Sequence, residues 1–250
     1  MAHTIVVGDT HMDWDSLVNV LQTHRPKRCI VAGDFGWWPN LFQKHRKRPL
    51  YLDWLMQSKP DETEIRFIEG NHEDLSDLFA TVGHLRLKNG TGPFDALELR
   101  PGLWYQPRGS TFTLEDGRTI FFCGGGKSVD APARTPGKDW FPEEIVRRDE
   151  LPATLPKADI VISHTVPNGL GVLETLTPIK EVCGWWDDTP DPTCDVLDEV
   201  LFTIRPSLWI AAHLHVFRKG RVKETEYVVL NRTDGDPVRS CEEEYIKILL

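Results

Sequence analysis

Five short apolar runs in this chain stop abruptly at a glycine or small residue, and each is followed within three positions by Asp, Asn or His. Thr4–Val7 leads into Gly8-Asp9-Thr10-His11. The run 28–33 leads into Asp34, 65–70 into Asn71-His72, 158–163 into His164, and 207–212 into His213-Leu214-His215. β-Branched runs of this length, bounded by glycine, read as buried strands. Between the early runs the apolar residues change to helical spacing: Trp14, Leu17, Val18 and Leu21, then Tyr51, Trp54 and Leu55, then Leu75, Leu78 and Phe79. Strand alternating with helix implies a parallel sheet with helices on its faces. In such sheets ligands bind beyond the carboxyl ends of the strands.

The middle of the chain changes character. Residues 97–123 read as β without helices, with Glu115-Asp116-Gly117-Arg118 as a hairpin turn, and a last β run covers Glu226–Leu230. The expectation is an α/β protein with two packed sheets and helices outside. No linker or repeat divides it, so residues 1–250 read as one domain. Two Pro- and Gly-rich loops, 124–143 and 184–193, are the places for specificity.

Composition narrows the function. No apolar stretch is long enough to span a bilayer, and the N-terminus enters a strand with no signal-peptide pattern. Five scattered cysteines without a C-x-x-C pair point to a reducing cytoplasm and away from thiolate zinc. A net charge of -9 argues against a broad surface for long nucleic acid. Lys44–Arg48 reads as a solvated basic face or as a patch for a nucleotide or RNA end. Asp187, Asp188, Asp191, Asp195, Asp198 and Glu199 read as an acidic loop that would repel a long polyanion. His3, His24, His45 and His84 fall outside the motifs.

Collected, the strand ends carry Asp9, His11, Asp34, Asn71, His72, His164, His213 and His215. Asp9 alone reads equally as a helix N-cap or a ligand. In extended chain Asp9 and His11 would point the same way, as would His213 and His215. The mixture suits a divalent pair: carboxylate to bridge and neutralise, imidazole for the remaining positions, and a neutral amide at Asn71 where an anion docks. Such a pair acidifies a shared water to a hydroxide nucleophile. Gly124-Gly125-Gly126-Lys127-Ser128 is not a phosphate loop, because Phe121 stands where that pattern needs glycine.

GDTH at 8–11, GD at 33–34, GNHE at 70–73, the His of SHTVP at 164 and AHLH at 212–215 resemble the calcineurin-like metallophosphoesterase family. The stretch ARTPGKDWFPEE at 133–144 is similar to stand-alone bacterial and phage members. The resemblance implies a four-layer α-β-β-α sandwich of two mixed sheets, with a dimetal site at the strand ends. It implies that Asp9, His11 and His215 bind one metal, that Asp34 bridges, and that Asn71, His164 and His213 bind the other. His72 would be the acid or phosphate-stabilising group, with Asp34 or Glu73 orienting it. Glu69 stands where the family often has a basic residue, and Ala212 replaces a glycine. The missing arginine leads away from phosphoprotein phosphatases. Lys127 and Arg134 read as phosphate contacts or as salt-bridge partners, and Trp37 and Trp38 as packing or as a base-stacking surface.

The function expected is a phosphoesterase using two divalent ions, Mn²⁺ first, with Fe, Zn²⁺ or Ni²⁺ as alternatives. Its favoured substrate is a small phosphodiester such as a cyclic or linear nucleotide. A phosphomonoesterase, a phosphoprotein phosphatase or a nuclease is the alternative within that class, and a non-catalytic metal-binding scaffold is the alternative outside it.

Overall fold

The computed structural model describes residues 3–39, 51–233 and 246–249, so the basic run 44–48 and His45 lie outside the described residues. Strand alternation sets the layers. In β1 (Thr4–Val7), Ile5 and Val7 point to one side and Val6 to the other. β2 (Arg28–Val31) repeats this with Cys29 and Val31 against Ile30, and β3 (Glu64–Phe67) with Ile65 and Phe67 on the outer side. The outer side is covered by α1 (Trp14–His24), α2 (Tyr51–Ser58) and α3 (Leu75–Asn89), through Trp14, Leu17, Leu21, Leu55 and Leu78.

β4 (Leu97–Arg100), β5 (Leu103–Tyr105) and β12 (Ile246–Leu249) complete this first sheet, in the order β12-β1-β2-β3-β5-β4. β1, β2, β3 and β5 are parallel, and the edge strands β12 and β4 are antiparallel. The second sheet has the same plan. β6 (Thr111–Thr113), β7 (Thr119–Cys123), β8 (Ile160–Ser163), β9 (Leu208–Ala211), β10 (Arg218–Val222) and β11 (Thr225–Val229) run in the order β10-β11-β9-β8-β7-β6. Its inner four strands are parallel and its edges antiparallel.

Between the sheets lie Val6, Ile30 and Ile68 from one side and Ile120, Phe122, Ile162 and Ile210 from the other, all fully buried. Each such side chain contributes about 1.5–3 kcal/mol of transfer free energy. Outside the second sheet, α4 (Pro192–Ile204) buries Leu197, Val200 and Leu201 against Val161 and Trp209. The result is the expected four-layer sandwich of two mixed sheets with flanking helices.

Three local expectations change. The acidic segment is not all loop: Asp195, Asp198 and Glu199 lie in α4, and Asp191 is its N-cap, accepting from the Thr193 N–H at 2.8 Å. The cap of α1 is Asp13, which accepts from Ser16 N–H at 3.1 Å, so Asp9 is not spent on that helix. β10 and β12 are further edge strands: β10 is mostly solvent-exposed and shows no apolar alternation, while the apolar run IKIL of β12 lies past the last β run expected at 226–230.

Candidate metal centre

All the motif residues lie just past the carboxyl ends of β1, β2, β3, β8 and β9. Four of them do not sit in extended chain. His11, Asp34, His213 and His215 have φ of 44°, 49°, 65° and 50°, the left-handed region that non-glycine residues avoid. Asp9 and His11 therefore meet through a turn rather than through strand alternation, and the same holds for His213 and His215. Such strain concentrates at functional sites. Two glycines make room. A Cβ on Gly70 would stand 2.1 Å from Asp34 Oδ1, and one on Gly33 2.1 Å from His164 Nδ1. Each glycine is a space filled by a site residue from another strand.

Two groups of ligand-type atoms result. In the first, one atom each from Asp9, His11, Asp34 and His215 falls within 4.8 Å of all the others. His215 Nε2 is 3.0 Å from His11 Nε2 and 3.0 Å from Asp9 Oδ2. In the second, His164 Nε2 is 3.1 Å from Asn71 Oδ1, 3.2 Å from His213 Nδ1 and 3.4 Å from Asp34 Oδ1. Asp34 belongs to both groups: Oδ1 faces His164, while Oδ2 lies 3.6 Å from His11 Nε2.

These atoms fit cations better than they fit one another. His164 Nδ1 lies 2.9 Å from the Ala32 carbonyl oxygen, so that nitrogen carries a proton, and in the neutral ring a metal needs Nε2 presents a lone pair. That lone pair faces the Asn71 amide oxygen, acceptor against acceptor. Asp34 Oδ2 is buried with no hydrogen-bond donor on it, and Asp9 Oδ2 meets only the His215 ring nitrogen. Buried unpartnered carboxylate oxygens are costly unless something positive meets them. Carboxylate, amide and imidazole together suit Mn²⁺, Fe, Zn²⁺ or Ni²⁺.

The surrounding charges keep the site ready for cations. Burial pushes the Asp34 carboxyl up, but His164, His72, His11 and His213 outweigh this and hold it well below the usual carboxylate range. Burial also raises Asp9, and His215 and His164 more than offset it. Burial, with His164 beside it, pushes the His213 imidazole down to about 4. The carboxylates are thus ionised and the His213 ring neutral, the forms that bind metal.

His72 stands at the mouth of this cluster. Its N–H donates to Asp34 Oδ1 at 2.8 Å, and its ring meets His11 edge-on at 4.8 Å between centroids. Arg134 Nη2 lies 2.8 Å from His72 Nε2 and 2.9 Å from Asp130 Oδ2. Burial, with Arg134 adding repulsion, lowers the His72 imidazole despite Asp34. Arg134 brings a cation to the side of the site where Glu69 replaces the basic residue. Glu69 itself is buried against Arg108 Nε at 2.6 Å and Tyr105 Oη at 2.9 Å. Glu73 does not touch the His72 ring. It accepts from the N–H groups of Phe35, Gly36 and Trp37 and so holds the loop after Asp34.

Two expected substrate contacts are corrected. Trp37 is only 6 % exposed. Its ring stacks on Phe67 at 6.3 Å and its Nε1 donates to Asp77, which leaves no face for a base. Lys127 Nζ is held by Asp187 at 2.9 Å and by Thr189, so it clasps the 187–191 loop. Sequence reading also passed over Ser128, whose hydroxyl oxygen accepts from Asn71, and Glu144, which accepts from that hydroxyl. Both lie in segments singled out for other reasons, GGGKS and WFPEE.

Comparison with known proteins gives remote likenesses among solved structures. One is a protein named as a 5′-nucleotidase from Staphylococcus aureus, crystallised with α-ketoglutarate: 16% identity over 99% of this chain and 52% of that one, TM-score 0.48. This chain thus spans about half its length. Another is phosphopantetheinyl hydrolase from Mycobacterium tuberculosis: 12% identity, 100% and 96% covered, TM-score 0.46. A third is GAP50, the anchor in the inner membrane complex of Plasmodium: 12% identity, 93% and 72% covered, TM-score 0.45. No curated protein matches the sequence. The family model for calcineurin-like phosphoesterases, however, matches residues 2–217, a span that includes every residue of the two atom groups, and the chain belongs to that family.

Proposed function

We propose that this chain is a two-cation phosphoesterase that cleaves a small phosphodiester of the cyclic or linear nucleotide class. The observation that carries the reading is Asp34, buried between two sets of inward-facing acceptors with one oxygen turned to each. On this reading Asp9, His11 and His215 hold one cation, Asn71, His164 and His213 hold the other, and Asp34 serves both. Bound divalent ions supply charge neutralisation and an acidified water at neutral pH.

The chain's own residues do the rest. His72 reaches the phosphoryl or leaving oxygen with its ring nitrogen. Arg134, tethered to His72 and Asp130, steadies the negative charge that builds on phosphorus-bound oxygens. Glu73 fixes the Phe35–Trp37 backbone and so the approach to Asp34. The acidic loop bound to Lys127, together with the net charge of -9, favours a short substrate over a long polyanion. The free thiols of Cys29, Cys123, Cys183 and Cys194 suit a reducing cytoplasm. Residues 1–250 are taken to act as one domain.

The test is hydrolysis of bis-p-nitrophenyl phosphate beside p-nitrophenyl phosphate, with Mn²⁺ and with chelator. Faster diester cleavage, abolished by chelator, is expected. Preference for the monoester moves the assignment to phosphatases. No turnover of either by protein that demonstrably binds Mn²⁺ favours the scaffold reading.

A further inference from the structure

The Asn71 side chain has two ends of equal shape and opposite chemistry. Only Oδ1 can accept a cation, and Nδ2 in its place would repel one. Something must choose between them. Asn71 Nδ2 donates to Ser128 Oγ at 3.0 Å. Ser128 is fully buried and spends its single hydroxyl proton on Glu144 Oε2 at 2.6 Å. The other carboxyl oxygen, Oε1, accepts from Ser128 N–H at 2.7 Å and from Trp140 Nε1 at 3.0 Å. Glu144 is 1 % exposed, so this carboxyl is surrounded by donors. Its backbone is pinned as well. Its carbonyl oxygen accepts from Gly126 N–H at 3.0 Å, and Arg108, which also pairs with Glu69, donates to the neighbouring carbonyl of Glu143 at 2.8 Å.

The polarity of this chain is forced from one end. A carboxylate accepts, so the hydroxyl must donate to it. The hydroxyl oxygen is then left to accept, so Asn71 must offer it Nδ2. We infer that Ser128 and Glu144 are positioning residues that set the polarity of Asn71 and hold Oδ1 toward His164 Nε2, the second cation position. The inference rests on the reading of Asn71 as a ligand. It gives a task to two segments, GGGKS and WFPEE, that lie 16 residues apart at their point of contact and supply none of the residues of the two atom groups.

Glu144→Gln tests it, because the change keeps shape and reverses polarity. An amide NH₂ where Oε2 stood donates to Ser128 Oγ. The hydroxyl then turns its proton to Asn71, and the Asn71 amide inverts. Titration of cation-free protein with Mn²⁺ alone, followed calorimetrically, reads the two binding steps. Glu144→Gln is expected to weaken the second step by about 10–100-fold, the usual effect of losing a ligand's supporting partner. The first step and the melting temperature of the cation-free protein stay as in the native chain. Ser128→Ala, which cuts the link without reversing it, weakens the same step less. In an Asn71→Asp background, where both ends are oxygens, Glu144→Gln no longer weakens that step.

Two tight Mn²⁺ steps in both Glu144→Gln and Ser128→Ala overturn the inference. An equal loss for Glu144→Gln in the native and Asn71→Asp backgrounds also overturns it, since packing would then explain the effect. Asn71→Ala separates this from failure of the underlying reading. Unchanged Mn²⁺ binding there removes Asn71 from the ligands and the inference with it. A weakened second step in Asn71→Ala beside native behaviour in the other two leaves the ligand reading intact and removes only Ser128 and Glu144.

Discussion

The two ends of the sandwich are built on opposite rules. At the amino end of β1–β3, the inward charged side chains Arg28 and Arg66 find complements. Arg28 donates to Glu64 at 2.9 Å, to Thr4 Oγ1 at 3.1 Å and to Glu115 of the β6–β7 turn at 3.1 Å. The Arg28 and Arg66 guanidiniums lie 4.3 and 4.2 Å from the centroid of the Phe112 ring, which comes from the other sheet. Charge and aromatic face thus latch sheet to sheet. At the carboxyl end acceptor faces acceptor, Asp34 Oδ2 lacks a donor, and four site residues adopt left-handed backbone. One end is arranged for the chain alone. The other is incomplete without something positive.

That contrast can be broken by experiment. The largest effect is expected from Asp34→Asn: loss of both Mn²⁺ sites and of turnover, because the carboxylate that serves both groups is gone. Calorimetric titration of the cation-free variant with Mn²⁺ checks this, and two intact Mn²⁺ steps would remove Asp34 from the ligands. Next comes His72→Ala, expected to keep both Mn²⁺ sites and to lower kcat by ~10²–10⁴. Unchanged kcat would remove His72 from the chemistry. At the opposite end the loss falls on stability rather than on activity. Phe112→Ala should leave kcat and KM alone and lower stability by about 1–3 kcal/mol in urea unfolding, the sum of two cation–π contacts and lost burial.

The smallest effect is a pH dependence at the latch. Half-burial pushes the Glu64 carboxyl up, but Arg66 and Arg28 outweigh it and hold it below its ordinary 4.5. A carboxyl lowered on folding contributes stability that is fully present above its unfolded value and is lost as pH falls through the folded one. The native chain should therefore lose more stability than Glu64→Gln as pH drops below 4.5, and parallel curves for the two would show the latch to be electrostatically idle.

The same contrast explains what could be read in advance. β1–β3 and α1–α3 were legible because strand and helix periods are set by burial, and Ile5, Cys29, Leu17 and Leu78 obey them. α4 was read as an acidic loop because its exposed face carries Asp195 and Glu199. The Asp191-Pro192 start and the Leu197, Val200 and Leu201 stripe were the signals for it. β10 has no apolar alternation to read, and only pairing with β11 makes it a strand. The strand-end residues were legible as a set because each follows an apolar run. Their backbone was not, since neighbours from other strands, such as His164 filling the space at Gly33, impose the turn. Arg134 beside His72, and Ser128 on Glu144, depend on the path of the 124–144 loop, which has no period at all.

His11 and His215 meet across 204 positions of sequence. A cation held jointly by them would be a topological tie, closing nearly the whole chain into a loop. Among the described residues no disulfide does so, since Cys29, Cys123, Cys183 and Cys194 are free thiols. Fastening points so far apart would take from the unfolded chain freedom worth on the order of 5 kcal/mol, by the same polymer argument that applies to a disulfide. In a compartment where sulfur bridges do not last, the ion would act as a reversible rivet between the two sheets. A chelator would then do to this protein what a reductant does to a secreted one.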